Sequence, residues 1–266
     1  MVPDGPGRGG HRPFGRSRIF RGNIFKRQPV LIVLCFPGHD AILKTEQMFC
    51  LLEHLDLVAE KNKVLNLTRI TDAEDAIVRH IVDSLLLLPS IETLNLSREA
   101  TFVDIGTGAG FPGIPIAIVT EYHGLLIDSV GKKVRAVQEF IQELGLDRQV
   151  AAQSIRAEDL ARSALRSYDF VTARAVADLG VLIEYAAPLL KRQGALVVSK
   201  GRIDDDELRR GDKTADIVGL ERVSRETYEL PHDTGHREIL TYKKIKGSKI
   251  KLPRQTGMAK HKPLAS

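Results

Sequence analysis

Two spacings of apolar residues divide this chain. Between residues 41 and 98 the apolar positions recur at helical intervals, as in the stripe Leu51, Leu55 and Val58, and most charged residues lie outside that stripe. Residues 73–89 repeat the helical spacing, and Pro89 is expected to end that helix. From Thr101 onward, short β-like runs alternate with helical stretches. We therefore predict a small helical cap followed by an α/β domain.

The alternating part predicts a parallel sheet with helices on both faces. Five strands are expected at residues 101–106, 124–130, 150–155, 168–173 and 195–200, with helices between them at 114–121, 132–144, 157–165 and 179–190. Right-handed crossovers bring the carboxyl ends of such strands to one edge, where ligands bind. Two last runs, 219–230 and 237–245, are separated only by a turn and predict an antiparallel pair.

Composition narrows the class of protein. With 266 residues, of which 43% are hydrophobic, the chain can bury a large core. Its two cysteines, Cys35 and Cys50, form no Cys-x-x-Cys pair, which disfavours a disulfide framework or a cysteine-based metal site and favours the cytoplasm. The longest apolar run, residues 30–36, is far shorter than the roughly 20 residues that cross a membrane. We expect a monomer without a metal or a membrane contact.

The basic charge of the chain is concentrated at its two ends. Residues 1–40 carry seven basic side chains against two acidic ones, and residues 243–266 carry eight against none, so a net charge of +5 leaves an acidic middle. Basic ends on an acidic body suggest contact with a polyanion, and two solubilising tails are the alternative.

These patterns divide the chain into four parts. They are a basic, disordered extension (1–40), the helical cap (41–98), the α/β domain (99–245) and a basic C-terminal tail (246–266). The extension also fits a transit peptide or a start assigned too far upstream.

The segment TFVDIGTGAGFPGIPIAI, residues 101–118, places glycines directly after a predicted strand. A nucleoside triphosphate loop needs Gly-x-x-x-x-Gly-Lys-Ser/Thr, and no lysine follows here. A dinucleotide fingerprint matches at Gly106 and Gly108 but has Phe111 where a small residue must pack. The third pattern belongs to methyltransferases that use S-adenosylmethionine (SAM). It has an acid two residues before Gly-x-Gly-x-Gly, and Asp104 with Gly106, Gly108 and Gly110 matches it.

Acidic residues lie at three successive strand ends around this loop. Asp104 suits the positive sulfonium and ammonium groups of SAM and would repel a pyrophosphate. Asp128, 22 residues after Gly106, can accept hydrogen bonds from ribose hydroxyls, which fits NAD and SAM equally. Glu158, with the Ala157 backbone beside it, can meet an adenine amino group. Each acid alone could be a solvated loop residue or a helix cap, but together they favour a nucleoside cofactor.

Four segments together resemble one family. NLTRITDAEDAIVRHIVDSL, FVDIGTGAGFPGIPIAI, LLIDSVGKKVRAVQEF and VTARAVADLGVLIEYAAPLLKRQGALVVSKG resemble, in this order, the bacterial 16S rRNA (guanine-N7) methyltransferases, also called glucose-inhibited division protein B. The tail PRQTGMAKHKPL is similar to theirs, whereas residues 1–37 have no counterpart. The resemblance implies a class I SAM-dependent methyltransferase fold, Rossmann-like, with a mostly parallel seven-stranded sheet and a small helical cap.

Together with the pattern above, the resemblance implies the binding residues. SAM is expected to contact Asp104, Gly106, Thr107, Gly108, Gly110, Phe111, Asp128, Ser129, Ala157, Glu158 and Arg174. The substrate, 16S rRNA in the small ribosomal subunit or in an assembly intermediate, is expected to contact Arg79, His80, Lys200, Lys249, Lys251, Arg254 and Lys260. Simpler roles are a strand-end ion pair for Arg174, a surface pair of Arg79 with Asp83, and a core position for His80.

The expected reaction needs no acid–base residue. Guanine N7 has a free lone pair and no proton, so in-line displacement can rely on proximity and orientation, with Arg174 as the candidate that orients the substrate through guanine O6 or a phosphate. Residues 172–176, TARAV, lack the motif of amino-group methyltransferases, and neither cysteine lies at a strand end for C5 chemistry. The alternatives are a methyltransferase of small molecules or proteins, a non-catalytic RNA-binding module that retains SAM, and an NAD-dependent oxidoreductase.

Overall fold

The computed structural model describes residues 34–36, 39–41, 43–174 and 177–265. The predicted N-terminal extension lies outside the described residues, apart from part of a short antiparallel ribbon. In that ribbon, β1 (Leu34–Phe36) pairs with β2 (His39–Ala41).

The cap consists of one long helix and a succession of short ones. Helix α1 (Thr45–Leu65) ends where Asn66 adopts a left-handed φ of 46°. It is followed by α2 (Ala73–Ala76), a π-helix (Ile77–Val82), α3 (Asp83–Leu85) and α4 (Leu88–Glu92). The expectation that Pro89 ends a helix is wrong. Pro89 lies in the first turn of α4, where its missing N–H removes no helical hydrogen bond.

The α/β domain is built on a seven-stranded sheet. Its strands are β3 (Thr101–Ile105), β4 (His123–Asp128), β5 (Val150–Ser154), β6 (Tyr168–Arg174), β7 (Leu190–Lys200), β8 (Leu220–Leu230) and β9 (Gly235–Lys244). Their order is β5-β4-β3-β6-β7-β9-β8, parallel as far as β7, and β9 runs antiparallel to both of its neighbours. The seven runs read from the sequence are therefore confirmed as strands, including the final antiparallel pair.

Helices cover both faces of this sheet. They are α5 (Gly113–Val119), α6 (Gly131–Glu143), α7 (Ala157–Ser163), α8 (Leu179–Leu189) and α9 (Asp205–Val218). Phe102 and Val103, adjacent on β3, belong to different buried clusters because successive side chains of a strand point to opposite faces.

The cap and the domain share one hydrophobic core. Leu51, Leu55 and Ile81 of the cap lie in the same buried cluster as Phe102 and Phe140 of the domain. Each fully buried apolar side chain contributes roughly 1.5–3 kcal/mol, so this shared burial fixes the cap against the domain. No helix in the described part of the chain has both the length and the apolar character to cross a membrane.

Residues 246–265, here named the C-terminal segment, lie on the surface of the domain. The Lys249 amide donates to the Ile217 carbonyl at 2.8 Å, and Ala259 is buried among residues that include those of α8. The short helix α10 (Met258–His261) lies near the end of the segment. Its basic composition predicts a tail, and in the structure the segment follows a defined path across α9, α8 and α7.

Candidate functional site

The glycine loop after β3 turns tightly at the carboxyl edge of the sheet. Gly106, Gly108 and Gly110 have φ values of 72°, 61° and 95°, which residues with a Cβ rarely adopt. The amides of Gly106 and Thr107 donate to the Ile127 carbonyl at 2.8 and 3.0 Å. These bonds tie the loop to the end of β4, and the backbone conformation itself requires the glycines.

Asp104 lies beneath this loop. Its fully buried carboxylate accepts hydrogen bonds from the Gly113 amide at 3.1 Å and from the Thr172 hydroxyl at 3.2 Å. Burial raises the pKa of Asp104 to about 6, although these hydrogen bonds act in the opposite direction. A Cβ on Gly113 would stand 2.9 Å from the Asp104 carboxylate. Asp104 therefore fixes the start of α5, and its direct contact with a cofactor stays a prediction.

Residues from three neighbouring strand ends enclose one pocket beside the loop. Seven of the predicted cofactor residues line it, namely Gly106, Gly108, Asp128, Ser129, Ala157, Glu158 and Arg174. The pocket volume of about 260 Å³ is close to the lower end of the roughly 300–1,000 Å³ typical of small-molecule sites. It is large enough for a small molecule only, so a macromolecular substrate has to approach its mouth. The other four, Asp104, Thr107, Gly110 and Phe111, are buried and do not line it.

The two carboxylates of the pocket are held by backbone donors. Asp128 accepts from the amides of Gly108 at 3.2 Å and Val130 at 2.9 Å. Glu158 is 5% exposed and accepts from the Gly257 amide of the C-terminal segment at 2.8 Å. Each carboxylate keeps further lone pairs for a ligand. Preset acceptors beside a glycine backbone fit a nucleoside, whose hydroxyl and amino groups are donors.

Stacked rings support the loop from the cap side. Phe111 lies between His54 of α1 and His80 of the π-helix, with both ring centroids 4.5 Å away. His54 Nε2 donates to the Ala109 carbonyl at 3.0 Å. Burial lowers the pKa of both histidines to about 3, so both are neutral at pH 7. They therefore pack as aromatic groups and anchor the loop to the cap.

Arg174, at the end of β6, joins this support to the pocket. One of its terminal nitrogens donates to the Arg79 carbonyl at 2.8 Å and to Asp83 Oδ2 at 3.2 Å. The other lies 3.4 Å from His80 Nδ1, and the guanidinium lies 5.4 Å from the Phe111 centroid. Burial lowers the pKa of Arg174, and the Asp83 carboxylate opposes that shift. Arg174 thus faces the pocket while it is fixed from behind by the cap.

The π-helix explains why a backbone carbonyl can receive this arginine. The Asp83 amide donates to the carbonyls of Val78 and His80, whereas in an α-helix it would donate to that of Arg79. The Arg79 carbonyl is therefore free to accept from Arg174.

The wider turn also changes the partners of the charged side chains. The proposed surface pair of Arg79 with Asp83 is not formed, because residues four apart no longer stack in a π-helix. Arg79 instead lies 3.7 Å from Asp75. Asp83 is buried and binds Arg237 at 2.9 Å in addition to Arg174.

Two of the predicted RNA residues have internal roles. His80, expected at the RNA surface, is only 6% exposed and stacks on Phe111, so the structure corrects that expectation. Lys200 donates to the Ala177 carbonyl at 2.8 Å and to Glu207 at 2.5 Å, and thereby anchors the chain between β6 and α8. Neither side chain is presented freely to solvent.

Apart from Arg79 in the π-helix, the other predicted RNA residues lie in the C-terminal segment. Lys249 pairs with Asp216 at 2.5 Å, and Arg254 binds Glu184 with two hydrogen bonds of 2.8 and 2.5 Å. Lys251 and Lys260 are exposed, and Lys260 also lines the pocket.

Sequence reasoning missed several residues of this site. They are His54, Thr68, Asp83, Lys133, Arg156, Tyr185 and Arg237. A signal was present for His54, a polar residue within the apolar stripe of Leu51, Leu55 and Val58. For Thr68, whose hydroxyl lies 3.0 Å from His80 Nε2, only the three-dimensional structure reveals the contact.

Comparisons of the sequence with known proteins point to one family. The family model described as rRNA small subunit methyltransferase G (GidB) matches residues 47–234. A ribosomal RNA small subunit methyltransferase G from Lactobacillus helveticus is 35% identical over 240 residues, 89% of this chain and 99% of that protein. One from Lactobacillus johnsonii is 39% identical over 215 residues, 79% of this chain and 89% of that protein.

The similarity to solved structures has a low sequence identity and therefore informs only the fold. P. horikoshii TYW2 in complex with MeSAdo aligns with a TM-score of 0.51 at 12% identity, over 66% of this chain and 64% of that one. The mostly parallel seven-stranded sheet is the class I SAM-dependent methyltransferase fold that was predicted from the sequence.

Proposed function

This chain belongs to the rRNA small subunit methyltransferase G family, and on that premise we propose that it methylates N7 of one guanine in 16S rRNA. Membership of the family makes it a SAM-dependent rRNA methyltransferase. The proposal concerns the atom that is methylated and the mechanism, an in-line displacement without a general base.

The observation that carries the proposal is the chemistry of the pocket lining. Its two carboxylates, Asp128 and Glu158, already accept hydrogen bonds from backbone amides. The nearby histidines, His54 and His80, are buried behind the loop with pKa values lowered to about 3, so they are poor bases. Some methyl acceptors must lose a proton during the transfer and therefore need a general base. We identify no such base among the described residues that line the pocket. Guanine N7 has no proton to lose.

The pocket residues then have separate binding roles. SAM, when bound, supplies a methyl group on a positively charged sulfur. The glycine loop permits close approach of the backbone, Asp128 accepts from ribose hydroxyls, and Glu158 with the Ala157 backbone meets the adenine. We assign no proton transfer to any of these residues.

Arg174 orients the target base in this proposal. Three hydrogen bonds use three of its five N–H donors, and the remaining donors suit guanine O6 or a phosphate. A bond from Arg174 to N7 would block the reaction. Because the cap fixes the guanidinium before the substrate binds, less orientational freedom is lost in the transition state.

The test is a methylation assay with mapping of the product. The full chain and labelled SAM are incubated with small ribosomal subunits, and separately with protein-free 16S rRNA, both lacking the modification. Borohydride–aniline treatment then cleaves at 7-methylguanine. We expect one strong cut in 16S rRNA, and none with an Asp128→Ala variant that binds SAM weakly. Label on the RNA without such a cut would refute N7 as the acceptor.

A further inference from the structure

The cations of the C-terminal segment fall into two groups. Lys246 and Lys249 both pair with Asp216, and Arg254 pairs with Glu184, so these three hold the segment on the domain. Lys251, Lys260 and Lys262 have no carboxylate within ion-pair distance among the described residues. One set of charges therefore anchors the segment on the domain, and the other set is unpaired and exposed to solvent.

The anchored path brings Lys260 to the mouth of the cofactor pocket. Two hydrogen bonds fix the chain just before it, from Gly257 to Glu158 at 2.8 Å and from the Thr256 hydroxyl to Asp159 at 2.7 Å. Lys260 lies in the short helix that follows, and it lines the pocket although it is exposed.

Two further cations line the same pocket. Lys133 comes from the first turn of α6, and Arg156 directly precedes α7. Within the described ranges, neither has an acidic side chain at ion-pair distance. Three separate elements thus converge with three unpaired cations, here named the rim (Lys133, Arg156 and Lys260).

The rim has the wrong charge to serve the cofactor alone. The lining also carries Asp128 and Glu158, so the three rim cations leave one positive charge in excess. SAM, with a sulfonium, an ammonium and one carboxylate, adds a further positive charge. Like charges that crowd one opening repel each other unless an anion lies between them. A polyanion meets that condition, and the small pocket volume requires a macromolecule to stay at the mouth, where the rim is.

We propose that the rim binds the phosphates on either side of the target guanine and so delivers the base to the pocket. The proposal rests on the function proposed above, since it takes RNA as the polyanion. It assigns phosphate contact to Lys260, and it gives Lys246, Lys249 and Arg254 an anchoring role in place of the RNA contact expected for the whole segment.

The experiment compares salt dependence of RNA binding among matched variants of the full chain. Dissociation constants for unmodified 16S rRNA are measured at several salt concentrations for the wild type, Lys133→Gln, Arg156→Gln, Lys260→Gln and the triple variant. Lys213→Gln is the matched control, since it removes an exposed lysine of α9 that does not line the pocket and is not among the predicted RNA contacts. SAM affinity is measured separately for every variant.

Each rim variant is expected to lower the slope of log K against log salt by about 0.7, the value for one contact with single-stranded nucleic acid. The triple variant should lower the slope by about 2. The slope of Lys213→Gln and the SAM affinity of every variant should match the wild type. A triple variant with the wild-type slope, or one that loses SAM affinity instead, overturns the rim proposal. If the wild type fails to methylate 16S rRNA, the proposed function is contradicted. The salt-dependence slopes still test the rim in that case, because they report binding and not catalysis.

Discussion

The cap and the C-terminal segment flank the same pocket but are held there by different forces. The cap contributes buried groups, His54, His80 and Asp83, and shares a hydrophobic core with the domain. The C-terminal segment depends largely on ion pairs at the surface, such as those of Lys246 and Lys249 with Asp216. Buried contacts of this kind are cooperative with folding, whereas exposed ion pairs are weak and screened by salt.

This difference suggests a division of labour. The cap sets the shape of the glycine loop and the position of Arg174, which have to be exact for methyl transfer. The C-terminal segment closes one side of the pocket through Glu158 and places Lys260 at its mouth. Damage to the cap should therefore unfold the protein or distort the loop, while damage to the segment should leave the fold intact.

The largest expected effect follows from removing the charge of Asp83. In Asp83→Asn, Arg174 and Arg237 lose their shared buried counter-charge, and we expect the free energy of unfolding to fall by about 3–5 kcal/mol. Urea denaturation measures it. Asp75→Asn is the control, since Asp75 faces half-exposed Arg79 at 3.7 Å, and it should cost less than about 1 kcal/mol. If both variants lost the same free energy of unfolding, the buried ion pairs of the cap would be no stronger than an exposed pair, which would contradict the comparison made above.

The second prediction concerns acid stability and the neutral histidines of the cap. The pKa of His54 is about 3 in the folded protein against about 6.5 in the unfolded chain, so the unfolded chain binds more protons between these values. Stability is therefore lost as pH falls below about 6.5, at roughly 1.4 kcal/mol per pH unit for each such histidine. Asp104, with its pKa raised to about 6, acts in the opposite sense between pH 4 and 6.

A variant isolates the contribution of His54. His54→Phe keeps a ring against Phe111 but cannot titrate, so its stability should fall less steeply with acid than that of the wild type. Denaturation at pH 7, 6 and 5 gives the two slopes, and the contribution of Asp104 cancels in their difference. Parallel slopes would mean that His54 is not held neutral by burial.

The third prediction is a smaller and local effect in the C-terminal segment. Arg254→Gln leaves Glu184, which is buried, without its partner, and we expect a cost of about 1–3 kcal/mol. Faster hydrogen exchange at residues 254–262, with unchanged exchange in α1, would show that the segment has loosened alone. Lys249→Gln is the control, because Asp216 keeps Lys246 at 2.7 Å, and its exchange should match the wild type.

The smallest expected effect is that of salt on the unmodified protein. Raising ionic strength shortens the screening length from about 10 Å at 0.1 M to about 3 Å at 1 M. Hydrogen exchange in residues 246–262 should therefore rise with salt, while exchange in α1 and in the π-helix stays constant. A cap that loosened in parallel would contradict the assignment of its stability to buried contacts.

Much of the pocket could be predicted because it is encoded locally. Gly106, Gly108 and Asp128 follow directly from strands that the apolar pattern identifies, and parallel strands place their ends at one edge. The same rule brought Ala157, Glu158 and Arg174 to that edge. In each case the chemistry lies within a few residues of a strand end.

The support behind the pocket could not be predicted, because it depends on distant pairs. Arg174 binds residues 91 and 95 positions away, and a spacing rule such as i,i+4 instead suggested the wrong partner for Asp83. His80 was expected at the RNA surface, but it is buried and stacks on Phe111. In the C-terminal segment, charge composition could not show that Lys246, Lys249 and Arg254 are already paired with acidic side chains.

The π-helix over Ile77–Val82 has a consequence for how this region can vary. A π turn amounts to an α-helix with one residue inserted. Deleting one residue there would let the next amide recapture the carbonyl that now receives Arg174, and Arg174 would lose that acceptor. Apolar exchanges within the turn preserve its geometry, but a change of length cannot. For this stretch the number of residues is a stricter requirement than their identity.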